Sequence, residues 1–305
     1  MMQKRDLEET VEKVLEKNNF NVIRHRGCFD LAAKRRKILL LKILVNVDSF
    51  LEYQSENLKI VSKSVCAFPL LIGIKTNREK LKESMIYERF GITTMNPQTL
   101  DNIFSSFSPE IFRKRGGMFV EIYPEKLRMA RESLGLTQEE LAKKVGTTKK
   151  TIYEHEKTSK KMSRDFAVKL EKILKRSIIK PFLLEDRTKE TEIEKIEKKP
   201  KTRFEINVSK EFERIGFDTD FVEQTPFNLI LKNKKRGLVL TRAEPEGRCK
   251  NLDELTKISE FFKSMPLLVT KSKTRDKDVP IPILEKTELH KFKTAEELIE
   301  FLRSF

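Results

Sequence analysis

The 305-residue chain has no tryptophan, three cysteines, three histidines and ten glycines, and each scarcity removes a class of protein. Cys28, Cys66 and Cys249 stand far apart and form no CxxC motif, which excludes a disulfide scaffold and fits a reducing cytoplasm. His25, His155 and His290 are equally scattered, so no Cys/His zinc site can be assembled from sequence neighbours. Neither GxGxxG nor GxxxxGK(S/T) occurs; the loops that usually cradle nucleotide phosphates are missing. The longest apolar run, Ile38 to Val45, is cut by Lys42, and the next, Val65 to Ile74, contains Pro69. A spanning helix takes about 20 apolar residues, so no membrane segment is expected. The opening Met1-Met2-Gln3-Lys4-Arg5 leads straight into charged amphipathic sequence, without a secretory apolar core. The expectation is a cytoplasmic protein without cofactor or metal.

Positive charge is abundant instead. Lys and Arg total 63 against 47 Asp and Glu, a net charge of +16. Such a balance says little about fold but favours polyanionic partners, nucleic acid first among them. The length fits about two domains of ~150 residues, or three smaller ones.

An internal repeat sorts the chain. Val11–Phe20 has an echo in Val208–Phe217, and Phe29-Asp30-Leu31 returns as Phe227-Asn228-Leu229. Phe68-Pro69-Leu70-Leu71 returns as Met265-Pro266-Leu267-Leu268, and Leu100 and Ile103 return as Leu298 and Phe301. Four matches in order at a nearly constant offset predict that residues 1–107 and 204–305 share one fold. In the first copy, helical spacing (Leu7, Val11, Val14, Leu15) leads to a short strand at Val22-Ile23. Strand Phe29–Ala33 turns through a basic hairpin tip into the apolar strand Ile38–Val47. Helix Phe50–Val61, strand Phe68–Ile74, strand Ile92–Thr94 and a helix after Pro97 follow, an α/β sandwich with a mixed sheet.

Between the copies, residues 107–117 carry a Pro, a Gly pair and Arg113-Lys114-Arg115, which reads as a connector. Residues 124–184 are helical by periodicity throughout and hold 16 Lys/Arg against 8 Asp/Glu, half the chain's excess charge in a fifth of its length. Residues 185–203 contain 13 charged residues of both signs, too polar to pack a core, and read as a charged linker. The expected domains are therefore 1–112 and 204–305 (the α/β copies), 113–184 (all-α) and 185–203 (linker).

The central segment spells a helix-turn-helix. Thr137 caps a helix and Glu140 completes a capping box; Leu141 and Val145 face inward; small Ala142 lets two helices cross closely. Gly146 takes the left-handed turn. Thr148 caps the next helix, leaving Lys149, Lys150, Tyr153 and Glu154 outward and Ile152 inward. From Leu127 to about Leu174 this stretch resembles the Cro/cI-type (XRE-family) helix-turn-helix of phage repressors. The resemblance implies a five-helix domain with Leu127, Ala130 and Leu134 in the first-helix core and Phe166, Leu170, Ile173 and Leu174 in the closing helices. It also implies that the second motif helix enters the major groove. Gln138 would hold a phosphate and brace that helix, and Thr148 would bond a second phosphate. Lys149 and Lys150 would reach guanine O6 and N7, and Glu154 would accept from cytosine N4. Lys157, Lys160 and Lys161 would follow the backbone. His155 departs from the large apolar residue usual there and reads as a half-buried structural histidine.

The helix–strand–strand order of the copies, with Asp30 on one strand and Lys42 on the next, resembles the restriction-endonuclease-like PD-(D/E)XK fold. That chemistry takes two carboxylates on Mg²⁺ and a lysine two residues after the second. Leu40 occupies the second carboxylate position, and Asn228 replaces the Asp in the second copy. Both copies therefore read as inactive, with Glu8, Glu9 and Asp48 as the only substitutes in the first. The three-part layout is similar to an archaeal family provisionally named as helix-turn-helix transcriptional regulators. The functional expectation is a sequence-specific double-stranded DNA-binding transcriptional regulator without catalysis, partnered by DNA, by basal transcription factors or by a second copy as a homodimer, and by no membrane. Its rivals are a Mg²⁺-dependent nuclease steered by the helix-turn-helix and an adaptor that bridges proteins of the basal machinery.

Overall fold

A computed structural model describes residues 3–105, 108–114, 117–184, 198–233, 237–246, 252–271 and 281–305. The chain divides into two compact units, residues 1–14, 44–49 and 71–187, and residues 15–43, 50–70 and 188–305. Along the first α/β copy run α1 (Lys4–Lys17), β1 (Asn21–Arg24), β2 (Leu31–Lys34), β3 (Ile38–Asn46), α2 (Glu52–Ser64), β4 (Ala67–Lys75), β5 (Met85–Arg89), β6 (Ile92–Met95) and α3 (Pro97–Phe104). Leu7, Val11 and Leu15 of α1 are fully buried, the inward stripe that helical spacing dictates. Leu39, Leu40, Leu41 and Ile43 of β3 are buried as well, as in a strand covered on both faces. Asn96 caps α3 by accepting from the Thr99 N–H, with Pro97 at the first helical position.

The second copy repeats this plan as α8 (Arg203–Arg214), β11 (Asp218–Phe221), β12 (Leu229–Asn233), β13 (Gly237–Ala243), α9 (Leu252–Phe262), β14 (Met265–Thr270), β15 (Ile283–Glu285) and α10 (Ala295–Arg303). Its strands lie in the order β11-β12-β13-β14-β15, antiparallel from β11 to β13 and parallel from β13 to β15. Val208 and Phe212 of α8, Leu231 and Val239 of the sheet, and Leu298 and Leu302 of α10 fill one core. The first copy uses the same opening order, β1-β2-β3-β4-β6. Register shows where the copies part. Leu31 pairs with Leu41, and Leu229 with Thr241, so the offset grows from 198 to 200 across the β12–β13 hairpin and the counterpart of Lys42 is Arg242.

Several expectations change. The stretch read as a connector forms β7 (Ile111–Lys114) and β8 (Gly117–Ile122), which extend the sheet as β6-β5-β7-β8. Phe112, Val120 and Ile122 are buried, and this alternation outweighs the Gly pair and basic run that signalled a loop. The expected limit between residues 112 and 113 thus falls inside β7. The central segment is not helical throughout: after α4 (Pro124–Ser133), α5 (Gln138–Val145) and α6 (Lys149–Lys157), β9 (Met162–Ser163) pairs with β8, then α7 (Arg164–Leu174) follows. In place of the expected fifth helix, β10 (Ile179–Lys180) pairs with β8, because Ile178 and Ile179 find their core against a strand rather than a helix face. Four helices therefore make up the segment among the described residues. Leu134, expected in the first-helix core, is 46 % exposed; it stands past the last turn of α4, where the chain bends away at Gly135. The charged linker expected at 185–203 lies outside the described residues up to 197, as do Cys249, Lys234 and Lys235. No helix among the described residues is long and apolar enough to cross a membrane.

Candidate nucleic-acid interface

Helices α5 and α6 are set by local chemistry. The Thr137 side chain accepts from the Glu140 N–H and Glu140 returns to the Thr137 N–H at 2.7 Å, a complete capping box. Gly146 ends α5 in the left-handed region at φ 75°. The Thr148 side chain accepts from the Thr151 N–H and starts α6. Leu141, Ala142, Val145 and Ile152 close on Leu127, Ala130, Leu170 and Leu174, with Val120 and Ile122 of β8 in the same core; Phe166 and Ile173 pack at its edge. A Cβ at Gly146 would meet only Lys169 Nζ, at 3.7 Å, so Gly146→Ala should cost only its backbone strain. We expect a loss of about 1 kcal/mol in a urea titration, and less for Gly146→Asn, which tolerates the left-handed turn.

The hub of the motif is a pair that pattern reading missed. Arg131 of α4 forks onto Glu156 of α6, Nε to Oε1 at 2.6 Å and Nη2 to Oε2 at 3.1 Å, and its Nη1 donates to the Leu136 carbonyl at 2.8 Å. Gln138 of α5 donates its Nε2 to Glu156 Oε2 at 2.7 Å. The Glu156 side chain is 4 % exposed, so three side chains fix three helices through one buried carboxylate. Hydrogen bonding to Glu156 holds the Arg131 guanidinium above its ordinary pKa. Gln138, expected to brace the second helix, reaches it through Glu156.

The outer face of α6 carries Lys149, Lys150 and Tyr153, all exposed, with Glu154 half-buried and Lys157 Nζ lying 4.6 Å from the Tyr153 ring centre. Thr148 already uses its hydroxyl on the Thr151 N–H and hydroxyl. Lys160 is exposed. Lys161 leaves the expected backbone row: its ammonium sits 3.8 Å from Glu88, 3.7 Å from Glu121 and 4.0 Å from the Phe112 ring centre. Those partners come from β5, β8 and β7, strands the sequence reading had not placed. His155 lies half-buried beside Phe166, ring centres 6.2 Å apart, and burial holds its imidazole below its ordinary pKa. The ring fills the apolar position of the motif, as a structural histidine does.

The nuclease-like positions lie in the second unit. Asp30 is buried, and its carboxylate accepts from Lys42 Nζ at 3.2 Å and from the Ile43 N–H at 2.7 Å. Leu40 and Leu240 are buried at the two positions where a second carboxylate would stand. Asn228 accepts from the Ala243 N–H at 2.7 Å, and Arg242 turns to Glu244 at 2.9 Å. The substitutes are engaged elsewhere: Glu8 with Lys4, Glu9 with Arg5, and Asp48 with Arg89 and the Asn77 N–H. Among the described residues no three His, Cys, Asp or Glu side chains gather to hold a metal ion. With Leu40 in place of the second carboxylate, Asp30 alone does not supply the set of carboxylates that Mg²⁺ takes in this motif.

As a class, this is a helix-turn-helix protein with a PD-(D/E)XK superfamily domain in its N-terminal part. Residues 4–109 match a PD-(D/E)XK superfamily domain and residues 127–180 a helix-turn-helix domain. The chain is 33 % identical over 313 residues to a provisionally named HTH-type transcriptional regulatory protein of Pyrococcus furiosus, covering 99 % of this chain and 98 % of that one. A protein of the same provisional name from Pyrococcus horikoshii is 32 % identical over 99 % of this chain and 98 % of its own. One from Methanocaldococcus jannaschii is 32 % identical over 92 % and 89 %. The chain belongs to this archaeal family of HTH-type transcriptional regulatory proteins. No solved structure matches it.

Proposed function

We propose that the protein is a sequence-specific, double-stranded DNA-binding transcriptional regulator that works without catalysis. The observation that carries this reading is α6, held through Glu156 with Lys149 and Lys150 on its exposed face. A basic face on a rigid helix at this place in the motif suits the major groove. Lys149 and Lys150 read guanine edges; Lys157 and Lys160 lie along phosphates; Tyr153 and Glu154 flank them. Thr148 contributes chiefly by starting the helix. The working parts are helices α4 to α7 for DNA and the two α/β copies as scaffold, in a cytoplasmic protein. The names of the relatives support regulation, and the leucines at the second carboxylate positions speak against metal-dependent hydrolysis.

The test is selection of binding sites from random duplexes, followed by titration of the selected and scrambled duplexes near 150 mM salt. A preference of at least ~10³ is expected for specific recognition. Equal affinity would defeat the proposal. Cleavage of supercoiled DNA with Mg²⁺ or Mn²⁺, lost on Asp30→Ala, would install the nuclease in its place.

A further inference from the structure

Within the second compact unit, the two α/β copies touch in a reciprocal way. The loop between β1 and β2 meets the loop between β11 and β12: the Cys28 N–H donates to the Gln224 carbonyl at 2.7 Å, and His25 Nε2 lies 3.3 Å from the same oxygen. The approach is close enough that a Cβ on Gly27 would overlap Gln224 O. Each loop also reaches a helix of the other copy. His25 Nδ1 pairs with Glu254 of α9 at 2.6 Å, and the Glu223 N–H donates to Asn57 Oδ1 of α2 at 3.0 Å.

These positions correspond. Cys66 and Lys263, 197 apart, both take the left-handed turn after their helix, φ 52° and 56°, which makes Asn57 and Glu254 equivalent. The His25 N–H donates to Asp30 O and the Val222 N–H to Asn228 O, so Glu223 is the first residue after the counterpart of His25. First loop to second helix, second loop to first helix: this exchange is the signature of a two-fold, isologous interface.

The nuclease-like pair supports that loop. Lys42 Nζ, besides Asp30, donates to the Gly27 carbonyl at 2.6 Å, within the turn that carries Cys28 to Gln224. Asp30 anchors both the lysine and the Ile43 N–H. In the second copy Asn228 performs the backbone part of this role, and Arg242 turns to Glu244 instead. The ammonium is kept only where a loop carbonyl receives it.

We infer that Asp30 and Lys42 form a clamp that holds the loop of residues 25–29 against the second copy, and that the two copies make inside one chain the self-complementary pairing that separate subunits make in a homodimer. The partner of this face is the chain's own second copy. Both copies belong to one chain, so the pairing is intramolecular and the face is filled without a second chain. The inference does not rest on the DNA-binding reading.

Hydrogen exchange of the full chain tests it. The amides of Cys28 and Glu223 report the inter-copy bonds, and β12, β13 and β14 serve as internal reference. Lys42→Met alone leaves Asp30 buried without its cation, so the informative variant is Asp30→Asn with Lys42→Met, which copies the Asn228 arrangement and removes only the clamp. Both amides should exchange about tenfold faster or more, while the reference strands keep their protection. Unchanged exchange at Glu223 in that folded variant would overturn the clamp, and so would loss of protection spread evenly over the reference strands. Metal-dependent cleavage abolished by the variant with both loops still protected would return the pair to catalysis.

Discussion

Arg131→Met should lower the stability of the helix-turn-helix segment by about 3–5 kcal/mol. The reason lies with the residue left behind. Arg131 is 9 % exposed and supplies two of the three side-chain hydrogen bonds that Glu156 receives. Without it, a buried carboxylate keeps only Gln138, and the Leu136 carbonyl loses its donor. Urea unfolding followed by circular dichroism suits a chain without tryptophan. The double change Arg131→Met with Glu156→Leu removes both charges together and should recover most of the loss, since an apolar pair of similar volume commonly matches a buried ion pair. Such a rescued protein should still bind DNA less well, because Gln138 would have lost its hold on α6. A small loss for Arg131→Met, comparable with removal of the exposed Arg128–Glu132 pair, would show that the three helices are held by apolar packing alone.

What the sequence made legible was local. Thr137 and Glu140 lie three residues apart, Gly146 follows the last turn of its helix, and Ile152 is the fourth residue of the next; each signal is complete within a few residues. The α/β copies were legible because a duplication prints the same apolar pattern twice. Arg131 and Glu156 were not, being 25 residues apart and each an ordinary surface residue when read alone. The partners of Lys161 were hidden for the same reason, since Glu88 and Glu121 approach it only once β5 and β8 lie in one sheet. The β7–β8 hairpin was hidden because Arg113, Lys114 and a Gly pair outweigh two short apolar alternations in any local reading. At Asp30 the sequence revealed the missing second carboxylate but not the Gly27 carbonyl that Lys42 serves.

Lysines on either side of the end of α6 should separate into two classes when titrated against DNA. Lys149 and Lys150 stand in the first turn of α6, exposed, where a side chain entering the major groove meets base edges. Replacing either by Ala should cost about 1–3 kcal/mol on the selected site and less on scrambled duplex, because a lost guanine contact is felt only where the guanine is present. Lys160 lies beyond the last residue of α6 and is exposed. Lys160→Ala should weaken every duplex alike and reduce the slope of log K against log salt by about 0.9, one phosphate's worth of released counterion. Lys157 shares its charge with the Tyr153 ring, so Tyr153→Ala should alter the same slope through Lys157 by freeing its stem. Lys161 provides the control. Its ammonium faces Glu88 and Glu121, and a cation committed to two carboxylates releases no counterion from DNA, so Lys161→Ala should leave the slope unchanged. If Lys161→Ala lowered the slope as much as Lys160→Ala, the loop after α6 would have to exchange those carboxylates for phosphate on binding. If Lys149→Ala weakened selected and scrambled duplexes equally, α6 would not be the helix that reads the bases.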